Sequence, residues 1–383
     1  MVRALAAAAA LALSACASVP DAPSPGAIDR VATSLMRETG TQGLALALID
    51  DGKIAYVKSY GLRDVAAAKA LTTDTVMYGA SLTKFLFSAM VMQLVEEGRL
   101  SLDQPIAQLL PKPLPEYEFY ADLKNDPRWQ KLTMRMLLGH SPGFANFRYW
   151  PPEGGYVPEG KLKIYFEPGT RYAYSGEGYY LAQHVLEAGL GIDVGKEMQR
   201  RIFVPAGMVR TSMTWREDFA DNNSTGYTAD GKTEEHDHRD NVRAAGSMDT
   251  TIADMARFAA AFAQGRVISE ASRREMLRPT MAITSKNQFP TLRETADPRN
   301  RDVELSGAVG VVTWDGIAGP GFAKGGHNDS TDNQFVCLER GRRCLVLLSN
   351  AAKGDKLYPK LVEALIGPTG LPWRWEYSNI EGD

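Results

Sequence analysis

Thr75-Val-Met-Tyr-Gly-Ala-Ser81-Leu-Thr-Lys84-Phe-Leu-Phe-Ser-Ala-Met-Val-Met-Gln-Leu-Val-Glu-Glu-Gly98 is the stretch from which the fold is read. From Ser81 onward Leu82, Phe85, Leu86, Ala89, Met90, Leu94 and Val95 recur at three- and four-residue spacing. That spacing predicts a long, mostly buried helix, with Gly98 as its stop. Ser81 falls at or near the first turn, where unpaired backbone N–H groups and the helix dipole favour negative charge. Lys84 follows three residues later on the same face, within reach of the serine hydroxyl. Burying an ammonium among apolar side chains is costly without partners, and desolvation lowers its pKa. A lysine that deprotonates readily beside a serine is one way to turn a hydroxyl into a nucleophile. The same residues also fit an ordinary helix cap and a lysine that snorkels to water, so the decision lies elsewhere in the chain.

The 383 residues are 44% apolar and 23% charged, a globular composition long enough for a substantial core. A net charge of −3 without a lysine- or arginine-dense tract offers nothing to a nucleic acid. Met1-Val-Arg3 followed by the apolar run from Ala4 to Leu13 is too short to span a bilayer and reads as a signal peptide. Leu13-Ser14-Ala15-Cys16 resembles the bacterial lipobox. Residues 1–15 are therefore expected to be removed, and Cys16 to carry a lipid. Residues 16–27 would then be a tether. With no aspartate after the cysteine, the expected location is the periplasm, anchored to the outer membrane, and membrane contact would run only through the lipid. Ordinary secretion with a fortuitous cysteine is the alternative.

Asn333 to Asn350 reads as a hairpin turning at Arg340-Gly341, a register that sets Cys337 opposite Cys344. A disulfide spans that separation and an exported protein permits it, although two free thiols also fit. His236 and His238 lie in a polar run, Lys232 to Asp240, read as a solvated loop. No histidine–cysteine cluster suggests a metal, and no cofactor is expected.

Leu44 to Ile49 and Lys53 to Tyr60 read as strands joined at Asp50-Asp-Gly52. Strand patterns return at Val309–Trp314, Gly321–Lys324, Gln334–Glu339 and Cys344–Leu348, and Leu357–Ile366 closes with a helix. Between these ends the chain is helical and looped. The expected fold is α/β in the α+β sense: an antiparallel sheet flanked by helices, with a mainly helical second subdomain. The sheet subdomain is placed at about residues 28–75 and 300–367, the helical one at about 76–299, and residues 368–383 form a C-terminal tail.

Two further segments carry chemistry. In Pro168-Gly-Thr-Arg-Tyr-Ala-Tyr174-Ser-Gly176, Tyr174 leaves a turn and precedes a helix. A phenol held between two ammonium groups would have its phenolate favoured and could pass a proton; an ordinary packing tyrosine is the alternative. In Ala323-Lys324-Gly-Gly-His327, paired glycines at a strand end let a substrate approach the backbone, and Lys324 supplies positive potential; a plain glycine loop with a solvated lysine is the alternative.

With these motifs in order, the chain resembles the serine β-lactamase and penicillin-binding hydrolase superfamily. Within it the likeness is to the branch of class C β-lactamases, D-alanyl-D-alanine carboxypeptidases and family VIII esterases. Ser81-Leu-Thr-Lys84 matches Ser-x-x-Lys, Tyr174-Ser-Gly176 matches Tyr-x-Asn, and Lys324-Gly-Gly326 matches Lys/His-Thr-Gly. Leu137-Leu-Gly-His-Ser-Pro-Gly143 and Ala244-Ala-Gly-Ser247 support the match, which covers roughly residues 28–367. Two departures stand out. Gly176 replaces the usual asparagine and Gly325 the usual threonine, and an alternative alignment gives His327 the third-motif role.

The resemblance implies acyl transfer through Ser81, with Lys84 and Tyr174 moving the proton. Lys324, Gly325, Gly326, His327, Gly176 and Tyr149 would contact substrate. The expected substrate is a small molecule or short peptide bearing a carboxylate, a β-lactam or D-alanyl amide. A carboxylesterase is the main alternative, favoured by Gly176 and by Tyr149-Trp150, and a non-catalytic peptide- or β-lactam-binding lipoprotein is another. Neither the oligomeric state nor the physiological substrate follows from the sequence.

Overall fold

The computed structural model describes residues 22–293 and 295–380. The signal segment, Cys16 and most of the tether lie outside them. Among the described residues, nine strands form one antiparallel sheet: β1 (Gly43–Asp50), β2 (Lys53–Asp64), β3 (Lys69–Ala70), β4 (Met281–Ala282), β5 (Ser306–Gly307), β6 (Val312–Gly316), β7 (Gly319–His327), β8 (Asp332–Leu338) and β9 (Arg343–Ser349). Their order is β3-β2-β1-β9-β8-β7-β6-β5-β4, so the N-terminal hairpin joins the C-terminal strands through β1 and β9, as expected. Helices α1 (Pro25–Thr39), α2 (Leu82–Glu96), α3 (Met134–Leu138), α4 (Gly176–His184), α5 (Ile252–Ala263) and α6 (Gly354–Ile366) cover the sheet and build the helical part. The first helix starts at Pro25, inside the stretch assigned to the tether, because a proline is at home in a first helical turn where no N–H is needed.

Both faces of the central strands are buried. In β1, Leu44, Leu46 and Leu48 pack with α1 and α6, whereas Ala45, Ala47 and Ile49 turn toward α2 and α5. A strand covered on both sides has no polar face to show, which explains its near-continuous apolar sequence. Cys337 and Cys344 sit opposite each other in β8 and β9 and are joined by a disulfide.

Helix α2 runs through the larger core, with twelve residues from Leu82 to Leu94 buried. Phe85 anchors it. Its ring meets Phe258 and Phe262 of α5 at 5.3 and 4.9 Å, and Phe322 and Phe335 of the sheet at 5.9 and 5.1 Å, all edge-on.

Two segments differ from the sequence reading. Trp373, Arg374, Trp375, Glu376 and Tyr377, set apart as a tail, are buried and complete the second core. The run from Lys232 to Asp240 is not simply solvated. His236 Nε2 and Arg239 Nη2 reach Oδ1 of the fully buried Asp249 at 2.9 and 2.6 Å, and His238 stacks on Trp215 at 3.8 Å. A carboxylate withdrawn from water needs such partners, and charge-rich sequence does not reveal where they are required.

Because four rings close on Phe85, truncating it leaves a cavity that the sheet cannot collapse to fill. Phe85→Ala is expected to destabilise the protein by about 3–5 kcal/mol in denaturant unfolding. A loss below about 1 kcal/mol would mean that the cluster is not the keystone described.

Candidate active site

The site is assembled where α2 begins. Met77–Tyr78 pairs with Asp249–Thr250, and Thr83 Oγ1 bridges the two segments by donating to the Ala80 carbonyl at 2.6 Å and accepting from Met248 N–H at 3.1 Å. Ala80 stands at φ 44°, a strained backbone for a non-glycine residue, and the chain then enters the helix at Ser81. The Ser81 side chain makes no capping hydrogen bond, which removes the cap reading and leaves its hydroxyl available to Lys84.

Lys84 is 1% exposed, so it does not snorkel. Its Nζ lies 3.0 Å from Ser81 Oγ and donates to the carbonyl of Ala245, from the Ala244–Ser247 motif. Burial, with the positive charge of Lys324 adding to it, holds the Lys84 amine well below the ordinary lysine range. A neutral amine here presents a lone pair to the serine proton.

Tyr174 joins from the turn before α4, with the Ser81 hydroxyl close enough to its own to favour the ionised phenol. Lys324 Nζ donates to Tyr174 Oη at 3.3 Å and to the Gly325 carbonyl at 2.9 Å. The two amines lie 5.1 and 4.8 Å from the Tyr174 ring centroid, so the phenol does stand between them. The expected phenolate does not follow. Burial raises the Tyr174 pKa, and the Ser81 hydroxyl only partly opposes it. Lys84 is lowered and Lys324 is brought down to about 8 by burial. Burial shifts both amines down and the phenol up, so the phenol is the last of the three to lose its proton. Of the three groups, Lys84 is the amine nearest the serine and Tyr174 stays a protonated phenol.

The strand β7 completes the site. A side chain at Gly326 would meet Leu82 N at 2.8 Å and Ser81 N at 3.0 Å, so only glycine lets the strand pass this close to the serine. A cleft of about 530 Å³ opens beside Ser81, with Gly325, Gly326, His327 and Tyr149 among its walls. Lys324 itself is 6% exposed, and its amine is spent on Tyr174 and the Gly325 carbonyl. His327 faces the cleft as a neutral imidazole, brought down to about 4 by burial and by the nearby lysines. Gly176, like Lys324, is not among the cleft walls, against the expectation that both contact substrate. Gly176 is buried under Phe147, whose Cε1 would lie 2.4 Å from a Cβ there, so it shapes packing and does not offer a group to a ligand.

Several residues were not found from sequence. His140, within the Leu-Leu-Gly-His-Ser-Pro-Gly segment, stacks on Tyr174 at 4.2 Å and accepts a hydrogen bond from Ser175 N–H at Nδ1. It keeps the phenol in place, and its own imidazole stays neutral through burial and the two lysines. Gln288 and Phe289 reach the cleft from a loop with no motif, and Arg243 from the residue before Ala244. Among the described residues no histidine, cysteine or carboxylate cluster is arranged to hold a metal.

A family model described as Beta-lactamase matches residues 28–365. The chain is 25% identical over 259 residues to penicillin-binding protein 4* of Bacillus subtilis, an alignment covering 60% of this chain and 54% of that protein. It is 30% identical over 180 residues to lovastatin esterase of Penicillium rubens, covering 41% and 45%. The chain spans about a third to about half the length of the curated relatives it matches. A crystal structure of a D-alanine carboxypeptidase from Burkholderia cenocepacia superimposes with a TM-score of 0.68 at 18% identity, covering 89% of this chain and 98% of that one, a likeness of fold.

The buried Lys324 carries a stability signature. Its folded pKa of about 8 lies below the unfolded value, so the cost of burying its charge is present in full below pH 8 and fades as pH rises toward the unfolded value. Lys324→Met is expected to be more stable than wild type at pH 7, with the gap narrowing by roughly 2–3 kcal/mol at pH 10. Denaturant unfolding at the two pH values measures this, and a gap independent of pH would show that Lys324 is not buried as an ammonium at neutral pH.

Proposed function

The chain belongs to the β-lactamase family, and from that premise we propose that it is a serine hydrolase forming an acyl-enzyme at Ser81, with neutral carboxylic esters as its preferred substrates. The observation that carries the reaction is the 3.0 Å approach of the desolvated Lys84 amine to Ser81 Oγ. Ser81 Oγ attacks the substrate carbonyl carbon as its proton passes to Lys84 Nζ. The oxyanion is held by backbone N–H groups, one from Ser81 and one from the end of β7 at or beside His327. The proton moves through the Tyr174 hydroxyl to the leaving oxygen as the carbon–oxygen bond breaks, leaving the acyl ester on Ser81. Water then attacks that ester, its proton returning through the same pair to Ser81 Oγ as the acid departs.

The ester reading rests on the cleft. Phe147, Tyr149, Trp150, Tyr180 and Phe289 give it an aromatic wall, and Trp150 is 56% exposed at its mouth with Tyr156 5.1 Å away. Such a surface takes up an apolar acyl or alcohol group. Gly176 supplies no amide to an acylamino side chain, and Lys324 is already engaged. The esterase named among the relatives supports the same reading. A β-lactam or D-alanyl amide is the second reading. It is favoured by Arg243 in the cleft wall, a cation for a substrate carboxylate, and by the penicillin-binding relative. Export through the N-terminal segment, with Cys16 lipidated and the protein held at the outer membrane, is part of the proposal.

Turnover of a short-chain nitrophenyl ester and of nitrocefin, measured side by side, separates the readings. The ester is expected to be hydrolysed with the higher kcat/KM, and Ser81→Ala to remove both activities. Faster nitrocefin turnover would favour the β-lactam reading. A stable Ser81 adduct without turnover would make the chain a binding protein, and activity untouched in Ser81→Ala would end the proposal.

A further inference from the structure

The C-terminal segment brings a carboxylate to the active site from the side opposite the cleft. Glu376 is 8% exposed, and its Oε1 lies 2.0 Å from the point where a Cβ on Gly325 would stand. The space a side chain at residue 325 would need is thus filled by the carboxyl group of residue 376. Gln288 Nε2 donates to Oε2 at 2.6 Å, while Oε1 is left without a hydrogen-bond partner. A buried carboxylate oxygen without a donor is costly unless a positive charge compensates it. Lys324, the neighbour of Gly325 in β7, supplies that charge, and each group's titration responds to the other's charge.

The placement is firmly held. Gln288 N–H donates to the Trp375 carbonyl at 2.7 Å, and Asn287 Nδ2 to the Arg374 carbonyl at 3.0 Å. Arg374 Nε reaches Asp297 at 2.8 Å, and Tyr377 Oη donates to Asp332 at 2.9 Å. The loop carrying Gln288 and Phe289 therefore clamps the segment on one side and lines the cleft on the other.

We propose that Glu376 is a positioning residue of the active site, the counter-ion that the C-terminal segment inserts beside Gly325 to keep Lys324 an ammonium donating to Tyr174 Oη. The proposal rests on the Ser81 hydrolase reading for its effect on catalysis, but the charge compensation between Glu376 and Lys324 does not. The groups facing Lys324 are Lys84 of α2, His140 after α3, Tyr174 before α4, His327 of β7 and Glu376. Of these only Glu376 brings a negative charge. Burial works against the ionisation of Glu376, while Lys324 and the amide of Gln288 favour it; its charge in turn raises the pKa values of Asp332, Tyr172, Tyr174 and Tyr377, which face it. With its charge balanced from behind, Lys324 orients the relay hydroxyl without presenting a net positive site to the cleft. Preference for substrates uncharged at that end follows.

The test is a pH titration of the full-length protein carrying lysine labelled with carbon-13 at Cε, with the Lys324 signal assigned by its loss in Lys324→Met. In Glu376→Gln that signal is expected to titrate about one unit or more lower than in wild type, the usual effect of removing a neighbouring opposite charge. Gly325→Ala, which evicts the carboxyl group without removing it, is expected to shift it in the same direction. In parallel, the alkaline limb of kcat/KM for the nitrophenyl ester moves to lower pH in Glu376→Gln. Selectivity for a neutral ester over its carboxylate-bearing analogue falls as well. An unmoved Lys324 titration in either folded variant overturns the proposal, as does a loss of activity equal at every pH. Absence of ester turnover in wild type would instead count against the hydrolase reading, since the lysine signal titrates without substrate.

Discussion

The amine of Lys84, withdrawn from water inside α2, is the constraint on which the site depends. A lysine 1% exposed among apolar side chains is tolerable only if its charge is shed or paired, and the structure gives it one carbonyl and one hydroxyl. Among the described residues no carboxylate faces it. The group is thus biased toward the neutral amine, the form that could take a proton from Ser81. Reactivity and burial are the same fact seen from two sides. The core that makes α2 stable is also what biases its lysine toward the neutral amine.

Three distant parts of the chain must meet that helix, and each does so through a local backbone device. Ala80, at positive φ, turns the chain into the helix and leaves the serine hydroxyl uncommitted. Gly326 allows β7 to graze the Ser81 backbone, which any side chain there would prevent. The Ala244–Ser247 segment is tied to the helix start through Thr83, which places the Ala245 carbonyl on Lys84. Behind the cleft, the segment around Glu376 closes the second core and reaches Gly325. The two hydrophobic cores therefore converge on one hydroxyl from opposite faces of the sheet. A change in either is felt at the site through packing that has little room to relax.

What could be read from the residues followed physical periodicity. The buried helix from Ser81, the hairpin pairing Cys337 with Cys344, and the sheet joining both ends of the chain all come from apolar spacing and turn residues, which act locally. Ser81, Lys84, Tyr174 and Lys324 were singled out because their motifs stand in the order of a known family; each alone also fits a cap, a packing tyrosine or a glycine loop, and the fold brings them together. Other features were not legible, because they depend on contacts remote in the chain. Glu376 lies in a short aromatic tail with no motif and acquires its meaning only by filling the void at Gly325. His236 belongs to a charge-rich run that looks solvated until Asp249 is seen buried beneath it. The protonation of Tyr174 was misread for a related reason. Proximity to two lysines suggests a phenolate, but the burial that brings the groups together raises the phenol's pKa by more than the serine beside it lowers it.

The central claim is that Lys84 activates Ser81 by receiving its proton. The most direct measurement is the acylation rate of Ser81 by an activated ester, followed by mass spectrometry of the peptide that contains it, in wild type and in Lys84→Met. The account predicts an adduct on Ser81 that forms about 10²- to 10⁴-fold more slowly in the variant, with the fold intact by circular dichroism. Equal rates in the two proteins, or an adduct on a different residue, would contradict it.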